Sequence, residues 1–404
     1  MSYSSAIFDV VIVGAGLVGA TIACGLAQHS SDRPLRIAII EAGGDLPEPT
    51  HEQFDPRVVA LTHASQQLLE KIHCWDTIIA LRACPFHDMM VWDGEGTARA
   101  EFSSTEVHRP YLGHIVENSV AVYAVRARLK ALPQVTVYQS TKVIAVHKPD
   151  EHQQVRLLLD DDSEVLAPLV IAADGANSAV RELSEFATRE WDYGHDAIVT
   201  TVRTERSHEF VAAQRFMATG PLAFLPLRLG EDTHYSSIVW SAEKPLAAQL
   251  MSVSDEDFCA RLGAAFEYHL GTIEHCDKRF CLPLRQQHAR QYFQPGIVLV
   301  GDAAHTIHPL AGQGVNLGLL DAAVLVEEIS RAVTRQIPLY DLSILRRYQR
   351  RRLTSNLMMM GAMEGFKQLF GNRSPAAILI RNLGMQSFNS MPSLKNFIIE
   401  QVIG

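Results

Sequence analysis

Residues 7–13 read IFDVVIV, and the next six, Gly14 to Gly19, read GAGLVG. A Val/Ile run with little polar alternation is the pattern of a strand covered on both faces, as in a parallel sheet. The glycines stop it, and an apolar helical stretch follows to about residue 29. A second run, LRIAII at 35–40, ends on Glu41. Strand, glycine turn, helix and second strand make a βαβ unit, the context in which GxGxxG becomes a dinucleotide-binding fingerprint. Gly14 permits the tight turn, Gly16 the approach to a pyrophosphate, and Gly19 close helix–strand packing. Glu41 is placed for the ribose hydroxyls. A glycine-rich turn without a ligand is the alternative. The run Val10–Ala27 is uncharged over 18 residues, near membrane-spanning length. Its four glycines and β-branched start favour strand–turn–helix, and no basic segment precedes it as in a signal peptide.

A second stretch reads as a site. Residues 301–321 are GDAAHTIHPLAGQGVNLGLLD, following the apolar run Ile297–Val300. Gly301-Asp302 makes a turn at the end of a buried strand. His305, His308 and Pro309 follow, then Gly312-Gln313-Gly314, before a helical pattern resumes at Val315. Glycines let a backbone pass close to a ligand, and a helix start offers free N–H groups and a positive dipole end. A third stretch, ADGANSAVR at 173–181, puts Asp174-Gly175 at the end of the run Leu169–Ala173. A carboxylate there faces a ligand crevice, or caps the next helix; the two are compatible.

Together GAGLVG, ADGANSAVR and GDAAHTIHP resemble the three fingerprints of the FAD-dependent aromatic hydroxylases. HPLAGQGVNLGLLDA resembles the ubiquinone-biosynthesis branch of that family. GHIVENSV at 113–120, WDYGHDAIVTTVRTE at 191–205 and FLPL at 224–227 look closest to the hydroxylases of 2-polyprenylphenol. Paralogous branches act on other ring carbons with overlapping motifs.

The resemblance implies an α/β fold: a Rossmann-like FAD-binding domain of the p-hydroxybenzoate hydroxylase kind, an inserted antiparallel-sheet substrate domain, and C-terminal helices. The FAD-binding domain is expected over 1–77, 117–185 and 284–340, the substrate domain over 78–116 and 186–283, and the helical region over 341–404. The implied activity is hydroxylation of a polyprenylphenol ring with NAD(P)H and O2, through a C4a-hydroperoxyflavin. There is no second GxGxxG, so NAD(P)H is a transient donor without its own domain. Gly14, Gly16, Gly19, Glu41, Gly301 and Asp302 would hold the FAD, together with Asp174. Arg57 in DPRVVAL and Arg126 match arginines near the cofactor; a surface arginine and a solvated helix charge are the alternatives. The backbone of Gly312, Gln313, Gly314, Val315 and Asn316 would face the flavin's N1–C2=O edge, and Pro309 would shape the oxygen-reaction face. His305 or His308 could serve as base for the phenol. Two histidines alone make no metal site. The intact loop disfavours a plain flavin dehydrogenase, an oxidase or a non-catalytic scaffold.

Bulk properties agree. The 404 residues suffice for two domains. Net charge is −9 without long blocks of one sign, which argues against a nucleic-acid partner. Six scattered cysteines without CxxC fit a reducing cytoplasm. Residues 58–74, 117–131, 254–269 and 341–370 read as helices. Alternating runs within 186–283 read as antiparallel strands with one face covered. Arg346, Arg347, Arg350, Arg351 and Arg352 form the basic cluster: a solvated helix face, or contact with anionic headgroups at the inner membrane if the substrate is a lipid. The methionines at 358–360 and 363 read as adaptable core packing. Association with other ubiquinone-biosynthesis proteins, and with further copies of the chain, is compatible with this reading.

Overall fold

A computed structural model describes residues 5–28, 34–50, 53–97, 99–306 and 313–371. At its centre is a six-stranded sheet. In spatial order its strands are Phe293–Gln294, Ile297–Leu299, Val170–Ala172, Val10–Val13, Ile37–Glu41 and Val135–Gln139. Neighbours run parallel, except that Phe293–Gln294 is antiparallel to Ile297–Leu299. The three innermost strands and Ile297–Leu299 are buried almost throughout, which is why they carry Val and Ile without polar alternation. Helix Leu17–Ala27 packs on this sheet and against helices Asn118–Lys130 and Gln313–Thr334.

A larger sheet runs His305–Thr306, Phe280–Ala289, Thr188–Thr204, Asp232–Glu243, Gly220–Leu229, Val211–Met217, Asp88–Asp93 and Arg99–Ser103, with Ile273–Cys276 pairing on Thr188–Thr204. Two expectations change here. The sheet is mixed: Val211–Met217 lies parallel to Asp88–Asp93, which joins the two sequence-distant insertions. Several of its strands are also covered on both faces. Leu222 and Phe224 point to one side, where Phe224 stacks on Phe266 at 3.7 Å under helices Lys244–Ser252 and Asp255–Ala265. Ala223, Leu225 and Leu227 point to the other, against Phe86, Leu112 and Ile115. The small sheet of Val58–Leu61, Gly113–Glu117 and Cys84–Phe86 supplies that second cover.

Residues 58–74 are not one helix. Val58–Leu61 is a strand, and the helix starts at His63 because the Thr62 hydroxyl caps Ser65 N–H. The Lys244–Ser252 helix, opened by a proline in its first turn, and the strand Gly113–Glu117 were not anticipated. The arginine cluster is not a uniformly solvated face. Arg347 and Arg351 pair with Glu328, and Arg351 also with Glu327, joining Leu342–Gly371 to Gln313–Thr334; Arg352 is buried. Arg346 and Arg350 stay exposed. The methionines divide as well: Met360 is buried beside Leu317, and Met358 is open.

Candidate active site

The turn after the first parallel strand is built by steric necessity. Gly14 has φ +99°, and a Cβ there would lie 2.4 Å from the Ala173 carbonyl oxygen. A Cβ on Gly19 would lie 2.0 Å from the Gly14 oxygen, so the helix sits directly on its own turn. Gly16 differs. It caps the helix in extended conformation, and a Cβ built on it meets nothing within 4 Å. No side chain caps this helix and its first turn carries no acid. Open space beside uncapped helix N–H groups suits a pyrophosphate.

Glu41 and Arg126 converge on the same turn. Glu41 Oε2 accepts the Ala15 N–H at 2.7 Å, and Oε1 accepts the Gly43 N–H at 2.8 Å. Arg126 donates from Nε to the Ala15 carbonyl at 2.8 Å and pairs with Glu41 at 3.0 Å. A carboxylate has about four lone-pair sites and three are engaged, so Glu41 keeps about one acceptor for a ribose hydroxyl. Arg126 is thus part of the turn and not a solvated helix charge.

Arg57 is exposed at the head of Val58–Leu61. Its segment is pinned: Asp55 accepts the Arg57 and Ser119 N–H groups, and Glu117, ion-paired with Arg82, accepts the Asp55 N–H. The cap of the helix Ala179–Leu183 is Ser178, whose hydroxyl accepts the Arg181 N–H, not Asp174; Asp174 Oδ2 accepts the Val180 N–H at 3.2 Å from outside the cap. Burial raises its carboxyl, and bonds from Ser178 and Val180 oppose that. The buried Arg181 then ties this stretch to the Gly301 turn, donating to the Ala176 and Ala303 carbonyls at 2.8 and 3.2 Å.

Gly301, with φ +59°, opens a 3-10 turn, Gly301–Ala303. Asp302 is open to solvent, with protein gathered around its carboxyl. That crowding raises its carboxyl, with nearby His305 acting the other way. The chain leaves the turn through His305–Thr306, the end strand of the large sheet, which pairs with His288 and Gln287. The large sheet therefore hangs from the same turn that presents Asp302.

One assignment changes. His305 is 1% exposed and donates to the buried Asp321 at 2.6 Å. It is a buried network residue and does not present itself to a phenol as a base. Asn316, whose backbone is expected at the flavin edge, commits its side chain to the fold. Its Oδ1 accepts from Thr62 N and Ser65 Oγ at 3.1 and 2.7 Å, and its Nδ2 donates to the Ala60 carbonyl at 2.7 Å. It staples Val58–Leu61 and the Thr62 cap to helix Gln313–Thr334. Asn316→Ala should cost about 2–3 kcal/mol, since buried partners lose their bonds. A thermal or urea unfolding curve checks this; an unchanged midpoint would contradict the staple. Gln313, Gly314 and Val315 lie in the first turn of that helix. His308, Pro309 and Gly312 lie outside the described residues.

The buried partners Asp321, Arg352 and Asn356 were not foreseen as parts of this neighbourhood, whereas Arg181 closes the stretch ADGANSAVR. The one local signal was an acid, Asp321, at the end of the apolar run VNLGLL.

The chain matches the FAD binding domain family over residues 8–355. It is 36% identical over 397 residues to the 3-demethoxyubiquinol 3-hydroxylase of Escherichia coli (strain K12), covering 98% of each chain. It belongs to the FAD-dependent hydroxylases of ubiquinone biosynthesis. The ubiquinone hydroxylase UbiL of Rhodospirillum rubrum is 34% identical, with 98% of this chain and 89% of that one covered. Among solved structures, p-nitrophenol 4-monooxygenase PnpA from Pseudomonas putida DLL-E4 shares the fold, with a TM-score of 0.78, 20% identity and 99% of each chain covered. The hydroxylase is therefore an FAD-dependent aromatic monooxygenase of the p-hydroxybenzoate hydroxylase fold, drawing electrons from NAD(P)H. The residues present fit that cofactor: a Cβ-free cradle at Gly16 beside uncapped N–H groups, and an accessible carboxylate at Asp302. Among the described residues, no helix is long and apolar enough to cross a membrane.

Proposed function

We propose that the hydroxylase adds one hydroxyl to the ring of a polyprenylphenol intermediate of ubiquinone synthesis. The observation that carries this reading is the Gly301–Thr306 segment, which exposes Asp302 and supplies the end strand of the large sheet, the roof sheet of this reading because it would cover the cofactor. Gly14, Gly16 and Gly19 would take the pyrophosphate, Glu41 and Arg126 the adenosine side, and Asp302 the ribityl chain, with Asp174 and Arg57 nearby. The domain division by residue number given above belongs to the same proposal. Bound FAD supplies hydride acceptance from NAD(P)H and activation of O2. The chain's own part is to place the ring, exclude water and offer the N–H groups of residues 312–316 to negative charge. The stretches GHIVENSV at 113–120, WDYGHDAIVTTVRTE at 191–205 and FLPL at 224–227 support the 2-polyprenylphenol branch. A different ring position is the second reading, because a relative 36% identical is named for 3-demethoxyubiquinol. Peripheral contact with an anionic membrane is supported by Arg346 and Arg350, exposed on the helix that further along exposes Leu357 and Met358. Contacts with other ubiquinone-biosynthesis proteins belong to the same proposal.

A deletion strain lacking paralogues should accumulate a ubiquinone precursor short of one ring hydroxyl, identified by mass spectrometry. The FAD-loaded protein, given NAD(P)H and O2, should hydroxylate that precursor. Normal ubiquinone in the deletion strain would defeat the proposal; a demethoxy precursor would choose the second reading.

A further inference from the structure

One carboxylate holds both ends of the Gly301–His305 turn. Asp321, on helix Gln313–Thr334, is fully buried. Its Oδ2 accepts the Gly301 N–H at 3.2 Å and His305 Nε2–H at 2.6 Å. A carboxylate only accepts, so the His305 proton on this side sits on Nε2. The other oxygen, Oδ1, accepts from Arg352 Nε at 2.6 Å and Asn356 Nδ2 at 3.2 Å. Both donors lie on helix Leu342–Gly371. Arg352 also donates to Asn356 Oδ1 at 2.8 Å, so the two donors brace each other. Asn356 continues to the Tyr292 hydroxyl at 3.3 Å, which meets His288 at 3.0 Å on the roof sheet.

A carboxylate at this depth is costly unless paired and hydrogen-bonded. Burial pushes the Asp321 carboxyl up, but His305 and Arg352 outweigh it and hold the group below the usual carboxylate range. It is ionised, and its four donors come from two separate parts of the chain, the Gly301–His305 turn and the C-terminal helix. Core packing alone does not require such an arrangement, since an apolar side chain fills a core more cheaply. What the arrangement accomplishes is specific. Gly301 and His305 are fixed to one oxygen atom, and Asp302 is carried between them.

We propose that Asp321 is a positioning residue of the flavin site: through Gly301 and His305 it sets where Asp302 stands, and through Arg352 and Asn356 it anchors that place to the C-terminal helix. This rests on the reading that Asp302 contacts FAD. Without the charge on Asp321 the turn loosens, Asp302 loses its aim, and FAD affinity falls although Asp321 lies beneath the site and does not face it.

The test is a double-mutant cycle on the full chain, with FAD affinity read by titration of flavin fluorescence. Asp302→Asn and Asp321→Asn should each raise the FAD Kd about tenfold, as for one lost charge-assisted bond. The double variant should be no weaker than either alone, because both act through the same contact. The flavin absorption band at saturating FAD should shift alike in both single variants, a change that mere loss of stability does not produce. Additive losses, or unaltered affinity in Asp321→Asn beside a loss in Asp302→Asn, would overturn the proposal alone. Unaltered affinity in Asp302→Asn would overturn the site reading and this proposal with it. If Asp321→Asn does not fold, Asn356→Ala removes one donor to Oδ1 and leaves the ion pair. It should raise the Kd about threefold, again non-additively with Asp302→Asn, and additivity there is equally decisive.

Discussion

Gly16→Val should give a folded protein that binds no flavin. Nothing in the polypeptide requires glycine at residue 16. Its φ of −69° and ψ of −177° are open to any L-residue, and a Cβ there meets nothing within 4 Å. The space is reserved for something the chain does not supply. A valine would stand where the pyrophosphate meets the helix N–H groups. Losing two such charge-assisted bonds, at roughly 1.5–3 kcal/mol each, weakens FAD binding about a hundredfold or more. The wild-type protein should be yellow with about one FAD per chain, since there is one βαβ dinucleotide site. The neighbouring glycines supply the contrast. An alanine at residue 14 or 19 would drive its Cβ into backbone oxygen, so there the fold fails before the ligand does. Flavin content and melting temperature, measured on the same Gly16→Val preparation, separate the two cases. Normal flavin content would falsify the assignment of the turn.

Gly314→Ala should damage the chemistry and spare the fold. Gly314 lies in the first turn of helix Gln313–Thr334. Within a helix alanine is favoured over glycine by about 1 kcal/mol, so stability has no cause to fall. The glycine there makes sense as room for a ligand close to the backbone. An added methyl group would push the first-turn N–H donors away from the developing negative charge. One lost preorganised donor typically costs about 3–4 kcal/mol, roughly a hundred- to thousandfold in rate. The expected variant melts as the wild type does and still holds some FAD. It should reduce its flavin slowly, or release hydrogen peroxide in place of hydroxylated product. Stopped-flow reduction and a peroxide assay read both outcomes. Wild-type turnover and coupling would show that this helix start does not face the flavin.

Some of this was legible residue by residue. The turn Gly14–Gly19 is local: its strand, its glycines and its helix are contiguous, and their spacing alone calls for a βαβ start. Glu41 closes that unit a short way on. The places of Asp174 and Asp302 were legible for the same reason, each lying at the end of a short apolar run. The division of Val58–Leu61 from the helix after Thr62 was missed because two β-branched residues on a helix-like stretch carry no strand signal without a partner. That partner, Gly113–Glu117, comes more than fifty residues later.

Tertiary structure decided the rest, because those choices depend on residues far apart in the chain. For Asn316 the sequence spoke only of its backbone; folding brings Thr62, Ser65 and Ala60 to its side-chain amide and makes it a staple. His305 read as a free histidine; the fold buries it on Asp321 and pairs its strand with the roof sheet. The arginines at 347, 351 and 352 read as one charged face; the packing of two helices spends them on Glu327, Glu328 and Asp321. A sequence determines which segments are strands, turns and helix starts, because sterics and hydrophobic period act over a few residues. Whether a polar side chain meets solvent, a ligand or another part of the chain is set by what folding places opposite it.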